Sequence, residues 1–163
     1  EGYGPGGIGI MVETLTDNKN RTVSDIRSTL SKAGGNMAES GAVAWQFEQK
    51  GVIVVDVESN DAEDLALVAM EAGADDFETY DGTLHVYSQP NSLENIRSTL
   101  SDSEAKVAST ELSMIPSNTI MLDSKKAIQT LRLLDSLEEL DDVQKVYSNA
   151  DFPEEALDNF KAT

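Results

Sequence analysis

The sequence predicts an α+β protein made of two ferredoxin-like units, one split by insertion of the other. Three observations lead there. Residues 51–115 read β-α-β-β-α-β, a complete unit in themselves. A β-α-β pattern precedes this stretch and another follows it, each half of such a unit. The charge shifts at the same places: the net is −1 over 1–50, −12 over 51–115 and −5 over 116–163. A change of composition at a boundary is what a separate domain shows. The division is therefore 1–50 with 116–150, an insert at 51–115, and a C-terminal tail at 151–163.

Each element has its own signal. Ile8, Ile10 and Val12 alternate as a half-buried strand does. The turn-rich stretch from Thr16 to Arg21 reads as a loop. A helix follows over 22–32, with Val23, Ile26 and Leu30 on one face, Thr22 and Asp25 as a capping box, and Gly34-Gly35 as the stop. Residues 42–49 complete the first β-α-β. In the insert, Val52–Val57 is an apolar strand and 61–72 a helix with Leu65, Val68, Ala69 and Ala72 inward. Strands 77–80 and 83–87 flank Asp81-Gly82, a favoured two-residue hairpin turn. A helix over 92–100 and a strand over 106–115 close the unit. Strand 118–122, a helix over 124–140 and strand 143–147 form the returning half, and strand 118–122 is expected in the same sheet as strand 8–15.

Composition limits the chemistry. The chain has 163 residues, enough for one ordinary domain or two small ones, and its 39% hydrophobic content can fill packed cores. There is no cysteine, so there is no disulfide, thiol nucleophile or zinc–thiolate site. No run of about 18 apolar residues suggests a membrane span, and the chain opens at Glu1 without a basic-then-apolar leader. A net charge of −18 repels nucleic-acid phosphates at long range, which disfavours a binder that uses its whole surface.

Four stretches carry residues that could be chemical. Gly2-Tyr3-Gly4-Pro5-Gly6-Gly7 satisfies G-x-G-x-x-G, yet the glycines precede a strand and Pro5 interrupts them. A dinucleotide fingerprint must open a helix, so a tight turn serving as a docking surface is the better reading. His85 is the only imidazole and has no nucleophile pattern around it, so no catalytic triad is expected. Asp75-Asp76 and Asp141-Asp142 lack metal-loop spacing and read as solvated turns, although Asp141-Asp142 follows a helix C-terminus whose dipole disfavours it. No metal, cofactor or small-molecule substrate is expected.

The best candidate is Asp17, Asn18, Lys19, Asn20, Arg21 and Thr22, with Arg27 further along the helix. Residues 17–32 carry a net charge of +2, the one clearly basic stretch in an acidic chain. They link a strand to a helix N-terminus, where free N–H groups and the dipole attract anions. Asn18, Asn20 and Thr22 can hydrogen-bond phosphate or ribose. The competing explanation is a solvated loop with asparagines in turn conformations.

Several motifs in order resemble one family. Gly2-Tyr-Gly-Pro-Gly-Gly7, the run from Val12 to Thr22, Lys32-Ala-Gly-Gly-Asn36, Gly41-Ala-Val-Ala-Trp-Gln-Phe47, Gly73-Ala-Asp-Asp76 and the run from Leu137 to Asn149 are similar to those of the YebC family. That family includes bacterial YebC and the mitochondrial translational activator of cytochrome c oxidase. The resemblance runs from Glu1 to about Phe152. It implies three domains, the second split by the third, and a basic helical N-terminal domain ahead of Glu1. It also implies one of two roles. The first is a ribosome-associated, RNA-contacting translation factor that helps synthesis of difficult stretches such as proline runs. The second is a DNA-binding transcriptional regulator. An acidic body with one small basic segment suits docking among ribosomal RNA and basic ribosomal proteins better than binding duplex DNA. The expected place of work is the cytoplasm, or the mitochondrial matrix in a eukaryote, and no enzymatic activity is expected.

Overall fold

A computed structural model of the chain describes residues 1–58 and 61–161. It divides into two compact units, Glu1–Glu48 with Pro116–Thr163, and Gln49–Ile115. In chain order the elements begin with β1 (Gly2–Tyr3), β2 (Gly9–Thr14), α1 (Lys19–Lys32) and β3 (Asn36–Met37). They continue with β4 (Phe47–Asp56), α2 (Ala62–Glu71), β5 (Asp76–Tyr80), β6 (Thr83–Ser88), α3 (Leu93–Asp102) and β7 (Lys106–Pro116). The last are β8 (Ile120–Met121), α4 (Ser124–Glu138), β9 (Val143–Ser148), β10 (Ala150–Asp151) and α5 (Glu154–Lys161). Among the described residues, no helix is long and apolar enough to cross a membrane.

In the unit formed by the two chain ends, the sheet has the order β3-β1-β2-β9. Strand β9 runs antiparallel to β2, with Ile10 opposite Ser148 and a register shift at Glu13/Thr14. Ile8 and Ile10 from the sheet, Ile26 and Leu30 from α1, and Leu133 and Leu137 from α4 share one core. The helical faces follow the i, i+3/i+4 spacing that makes one side of each helix apolar. Full burial of side chains such as Leu30 and Leu137 stabilises by roughly 1.5–3 kcal/mol each.

Three expectations for this unit are corrected. Strand 118–122 does not join the sheet of strand 8–15. Its core, β8, pairs in parallel with β10, Ile120 facing Ala150, in a separate two-stranded sheet. Both edges of β2 are already taken, by β1 and β9, and the Ile120 and Leu122 N–H groups donate instead to the carbonyls of Asn149 (2.8 Å) and Asp151 (3.1 Å). Asp123 then ends the strand by capping α4, accepting from the Lys126 N–H at 2.8 Å. Residues 42–46 are not strand either. They form turns and a 3-10 segment at Ala44–Gln46, while β4 runs unbroken from Phe47. The Glu1 carboxylate holds this turn by accepting from the N–H groups of Gly41 (2.6 Å), Val43 (3.0 Å) and Ala44 (2.7 Å). Finally, the segment expected as a tail holds α5, whose Ala156 is fully buried in the core. Residues 162–163 of that segment lie outside the described residues.

The acidic unit has the sheet order β5-β6-β4-β7. Ile53 and Val55 of β4 register with Val86 and Leu84 of β6. All four share a core with Ala66 and Ala69 of α2 and Ile96 and Leu100 of α3. Both helices therefore lie on one face of the sheet, as alternation in the strands requires. The hairpin turns at Asp81-Gly82, where Gly82 has φ +75°.

Candidate nucleic-acid interface

The basic segment is more helical than its composition suggests. Helix α1 begins at Lys19, three residues before the expected start, because Asn18 rather than Thr22 is the cap. The Asn18 side chain accepts from the Arg21 N–H at 3.1 Å, and the Asn18 N–H donates to the Thr16 hydroxyl at 3.0 Å. Lys19, Asn20 and Arg21 thus occupy the first turn of a helix, and no capping box forms at Thr22 and Asp25.

Thr22 is 5% exposed and serves as a structural hub. Its hydroxyl lies 2.7 Å from the Thr16 hydroxyl, 3.1 Å from the Asn18 carbonyl and 2.7 Å from an Asp142 carboxylate oxygen. Asp142 also accepts from Arg21, through Nε at 3.2 Å and Nη2 at 3.0 Å. A second carboxylate, Asp17, lies 3.2 Å from the same Nη2, one helical turn away. The Thr22 hydroxyl, and then the Arg21 guanidinium, hold the Asp142 carboxyl below its ordinary value. Asp142 in turn raises the Arg21 guanidinium above its ordinary value. The fork of Arg21 fits a carboxylate, and here it has one.

This pairing accounts for the helix-end conflict at Asp141-Asp142. Asp142 follows the C-terminal end of α4, where its charge is disfavoured, but it faces the N-terminal turn of α1, where a negative charge is favoured. Among the described residues, no carboxylate lies within ion-pair distance of Lys19 or Arg27. Both side chains are exposed, and the Arg27 guanidinium donates to the Met37 sulfur at 3.8 Å. Of the segment's cations, Arg21 is neutralised within the fold, while Lys19 and Arg27 present unanswered charge. Asn20 is exposed beside Lys19.

The glycine-rich run lies apart from this segment in role. Gly2 and Tyr3 form β1, Gly4 is buried, and Pro5–Gly7 make a 3-10 turn. Gly6 has φ +76°, and a Cβ there would come within 2.7 Å of Leu122 Cδ2. The run is therefore a tight packed turn, and only Gly6 and Gly7 in it are exposed. His85 packs edge-on against Tyr80, ring centres 4.7 Å apart. Asp75 accepts from the Gln89 amide at 2.8 Å, as a turn residue does. Among the described residues, no group of three or more His, Cys, Asp or Glu side chains could hold a metal. One exposed feature was not foreseen from the sequence. Trp45 is 76% exposed, with its indole N–H donating to the Ala42 carbonyl at 3.0 Å.

Comparison with known proteins agrees with the fold and motifs. A probable transcriptional regulatory protein of Dehalococcoides mccartyi is 49% identical over 160 residues, covering 98% of this chain and 64% of that protein. One from Halothermothrix orenii is 44% identical, covering 97% of this chain and 64% of its own length. The chain thus spans just under two thirds of these curated relatives. The crystal structure of a conserved hypothetical protein from Aquifex aeolicus superposes with a TM-score of 0.87 at 37% identity, over 94% of this chain and 63% of that one. The family model described as the TACO1/YebC second and third domain matches residues 1–150. The chain belongs to the TACO1/YebC family.

Proposed function

We propose that this chain is a non-enzymatic gene-expression factor that works at the ribosome, with the surface of α1 turned toward ribosomal RNA. One observation carries the reading. In a chain of net charge −18, Lys19 and Arg27 stand exposed on one helix with no carboxylate partner among the described residues. Asn18 caps the helix start that positions Lys19, Thr22 ties that start to Asp142, and Asn20 adds an exposed amide for phosphate or ribose. Arg21, held by Asp142 and Asp17, is a weaker contact, because phosphate would have to share it. The exposed end of the glycine-rich turn, Gly6 and Gly7, is a second docking point. Acidic surfaces elsewhere on the chain suit the basic proteins that share the ribosome with its RNA. The role fitting this setting is help with difficult stretches such as proline runs, in the cytoplasm or the mitochondrial matrix.

The test is co-sedimentation with ribosomes across a salt series, comparing the wild type with Lys19→Ala/Arg27→Ala. Association that weakens in the variant, with a smaller salt dependence, supports the reading. Association unchanged in both respects refutes it. The printed names of the relatives favour a second reading, a transcriptional regulator that binds DNA. Specific duplex binding by this chain tighter than about 10⁻⁷ M at physiological salt, near the range of true operator sites, would establish that reading instead.

A further inference from the structure

We propose that the groove between α1 and α4 is a second RNA contact, one that grips the phosphodiester backbone. The proposal rests on the RNA-contact reading above and adds a site that the basic segment at the start of α1 does not include. The groove has a volume of about 550 Å³. Thr29, Lys32 and Gly34 line one side, and Gln129, Arg132 and Ser136 the other. Ala33 and Leu133 also line it, adding apolar surface between the polar walls. The spacing explains the lining. Thr29 and Lys32 are three apart on α1, and Gln129, Arg132 and Ser136 lie at i, i+3 and i+7 on α4, so each set shares one helical face.

Charge identifies the occupant. The chain has 30 Asp and Glu residues, yet none lines this groove. Among the described residues, neither Lys32 nor Arg132 has a carboxylate within ion-pair distance. The dipole of α1 explains a lysine in its last turn, but Arg132 sits in the interior of α4, where no dipole calls for it. The C-terminal end of α1 opposes an anion with about half a charge, against two full positive charges. Its terminal carbonyls are moreover occupied, that of Leu30 by the N–H groups of Ala33 and Gly35 and that of Ser31 by the N–H of Gly34. Two cations, an amide, the Ser136 hydroxyl and the Thr29 oxygen, whose proton is already donated to the Asp25 carbonyl at 2.8 Å, lie beside apolar surface. They suit a sugar–phosphate chain, whose phosphates meet the cations and whose 2′-hydroxyl can both donate and accept.

The test uses the whole chain and a fluorescently labelled uridine 12-mer, with anisotropy titrations between about 50 and 200 mM salt. Three double variants are compared: Lys32→Gln/Arg132→Gln in the groove, Lys19→Ala/Arg27→Ala on α1, and Lys106→Gln/Lys161→Gln as a control with the same change of net charge. The glutamines remove the charge but keep an unbranched polar side chain of similar helix propensity at the helical positions, and thermal melts establish that each variant is folded. The groove variant should bind roughly tenfold more weakly, with a salt slope lower by about 1.4, or about 0.7 for each phosphate of a single strand that is no longer neutralised. The control should lose much less. If the groove variant binds like the wild type while the Lys19/Arg27 variant weakens, the groove is refuted and the proposed function stands. If the control loses as much as the groove variant, bulk charge is the cause and the groove is refuted. If the wild type does not bind the 12-mer, the groove and the RNA reading fail together.

Discussion

Asn149 should be the most sensitive polar residue of the unit built from the chain ends. It is 2% exposed and bonded through both its side chain and its backbone. Its side-chain oxygen accepts from the Gly9 N–H at 2.8 Å, and its amide donates to Gln46 Oε1 at 2.6 Å. Its own N–H donates to the Gly9 carbonyl at 3.2 Å, and its carbonyl accepts from the Ile120 N–H at 2.8 Å. One residue thus ties β2, β8 and the segment that enters β4 to the end of β9. Replacing it with alanine keeps the two backbone bonds and removes the two side-chain bonds. The missing acceptor leaves the Gly9 N–H buried without a partner, at about 1–3 kcal/mol, and the bond to Gln46 adds about 0.5–1.5 kcal/mol. The expected cost of Asn149→Ala is therefore about 2–4 kcal/mol. For a unit of this size that corresponds to a fall in Tm of roughly 10–25 °C. Asn149→Asp keeps the acceptor for Gly9 but puts a carboxylate at a site 2% exposed, so it should cost at least as much at neutral pH and recover in acid, as the carboxyl is protonated. Urea unfolding followed by circular dichroism gives both values. If Asn149→Ala loses under about 0.5 kcal/mol, in the range of a surface substitution, the buried donor is not the determinant.

Three further outcomes follow from the geometry. The Asp142 carboxyl titrates below its ordinary 3.8 in the folded chain, so its contribution to stability is present above that value and lost as pH falls through the lower folded value. The difference in Tm between wild type and Asp142→Asn should accordingly be clear near neutral pH and shrink below about pH 4; a gap independent of pH would refute the ion-pair account. The Thr130 hydroxyl is fully buried with no hydrogen-bond partner among the described residues, so Thr130→Val should raise stability by about 1 kcal/mol in urea unfolding, and a loss of that size would mean the hydroxyl is in fact satisfied. Gly6→Ala must force a side chain into φ +76° and against Leu122, and should cost more than about 1 kcal/mol; an unchanged melt would show that the turn can rearrange.

The insert was legible because its signals are local. Leu84 and Val86 alternate beside a two-residue turn, and Ile96 and Leu100 are four apart, so pattern and packing agree. The flanking unit was less legible because distant residues decide its details. Residues 42–46 look like a strand in isolation, but Glu1, about forty positions earlier, holds their N–H groups in a turn. Thr22 and Asp25 resemble a cap, yet Asn18 captures the Arg21 N–H first and the helix starts there. Strand β8 needed its partner β10, which lies beyond an entire helix and strand. In α5, Glu154-Glu155 in the first turn and Lys161 in the last are a helix signature already present in the sequence. For the candidate site, the basic segment was visible but the fate of Arg21 was not. Its partner Asp142 is 121 positions away, and the only hint was an aspartate pair at an unfavourable helix end.

For the proposed RNA contacts net charge alone is a poor guide, because the ionic atmosphere decides which charges a ligand senses. At physiological salt the Debye length is about 8 Å, so exposed carboxylates farther than that from a bound phosphate are largely screened. Helix α1 has 14 residues and spans about 21 Å. Lys19 at its start and Lys32 at its end therefore act as separate patches, each governed by its own neighbours. What distinguishes them from Arg21 is pairing rather than sign, since Arg21 has two carboxylates within 3.2 Å and they have none among the described residues. Lowering the salt lengthens the screening distance, so the attraction at each patch grows while the repulsion from the remaining negative charge begins to reach it. RNA affinity should for that reason rise less steeply below about 50 mM salt than the phosphates engaged at each patch would by themselves require. That flattening separates a basic patch on an acidic body from a uniformly basic binder, in which both effects favour binding.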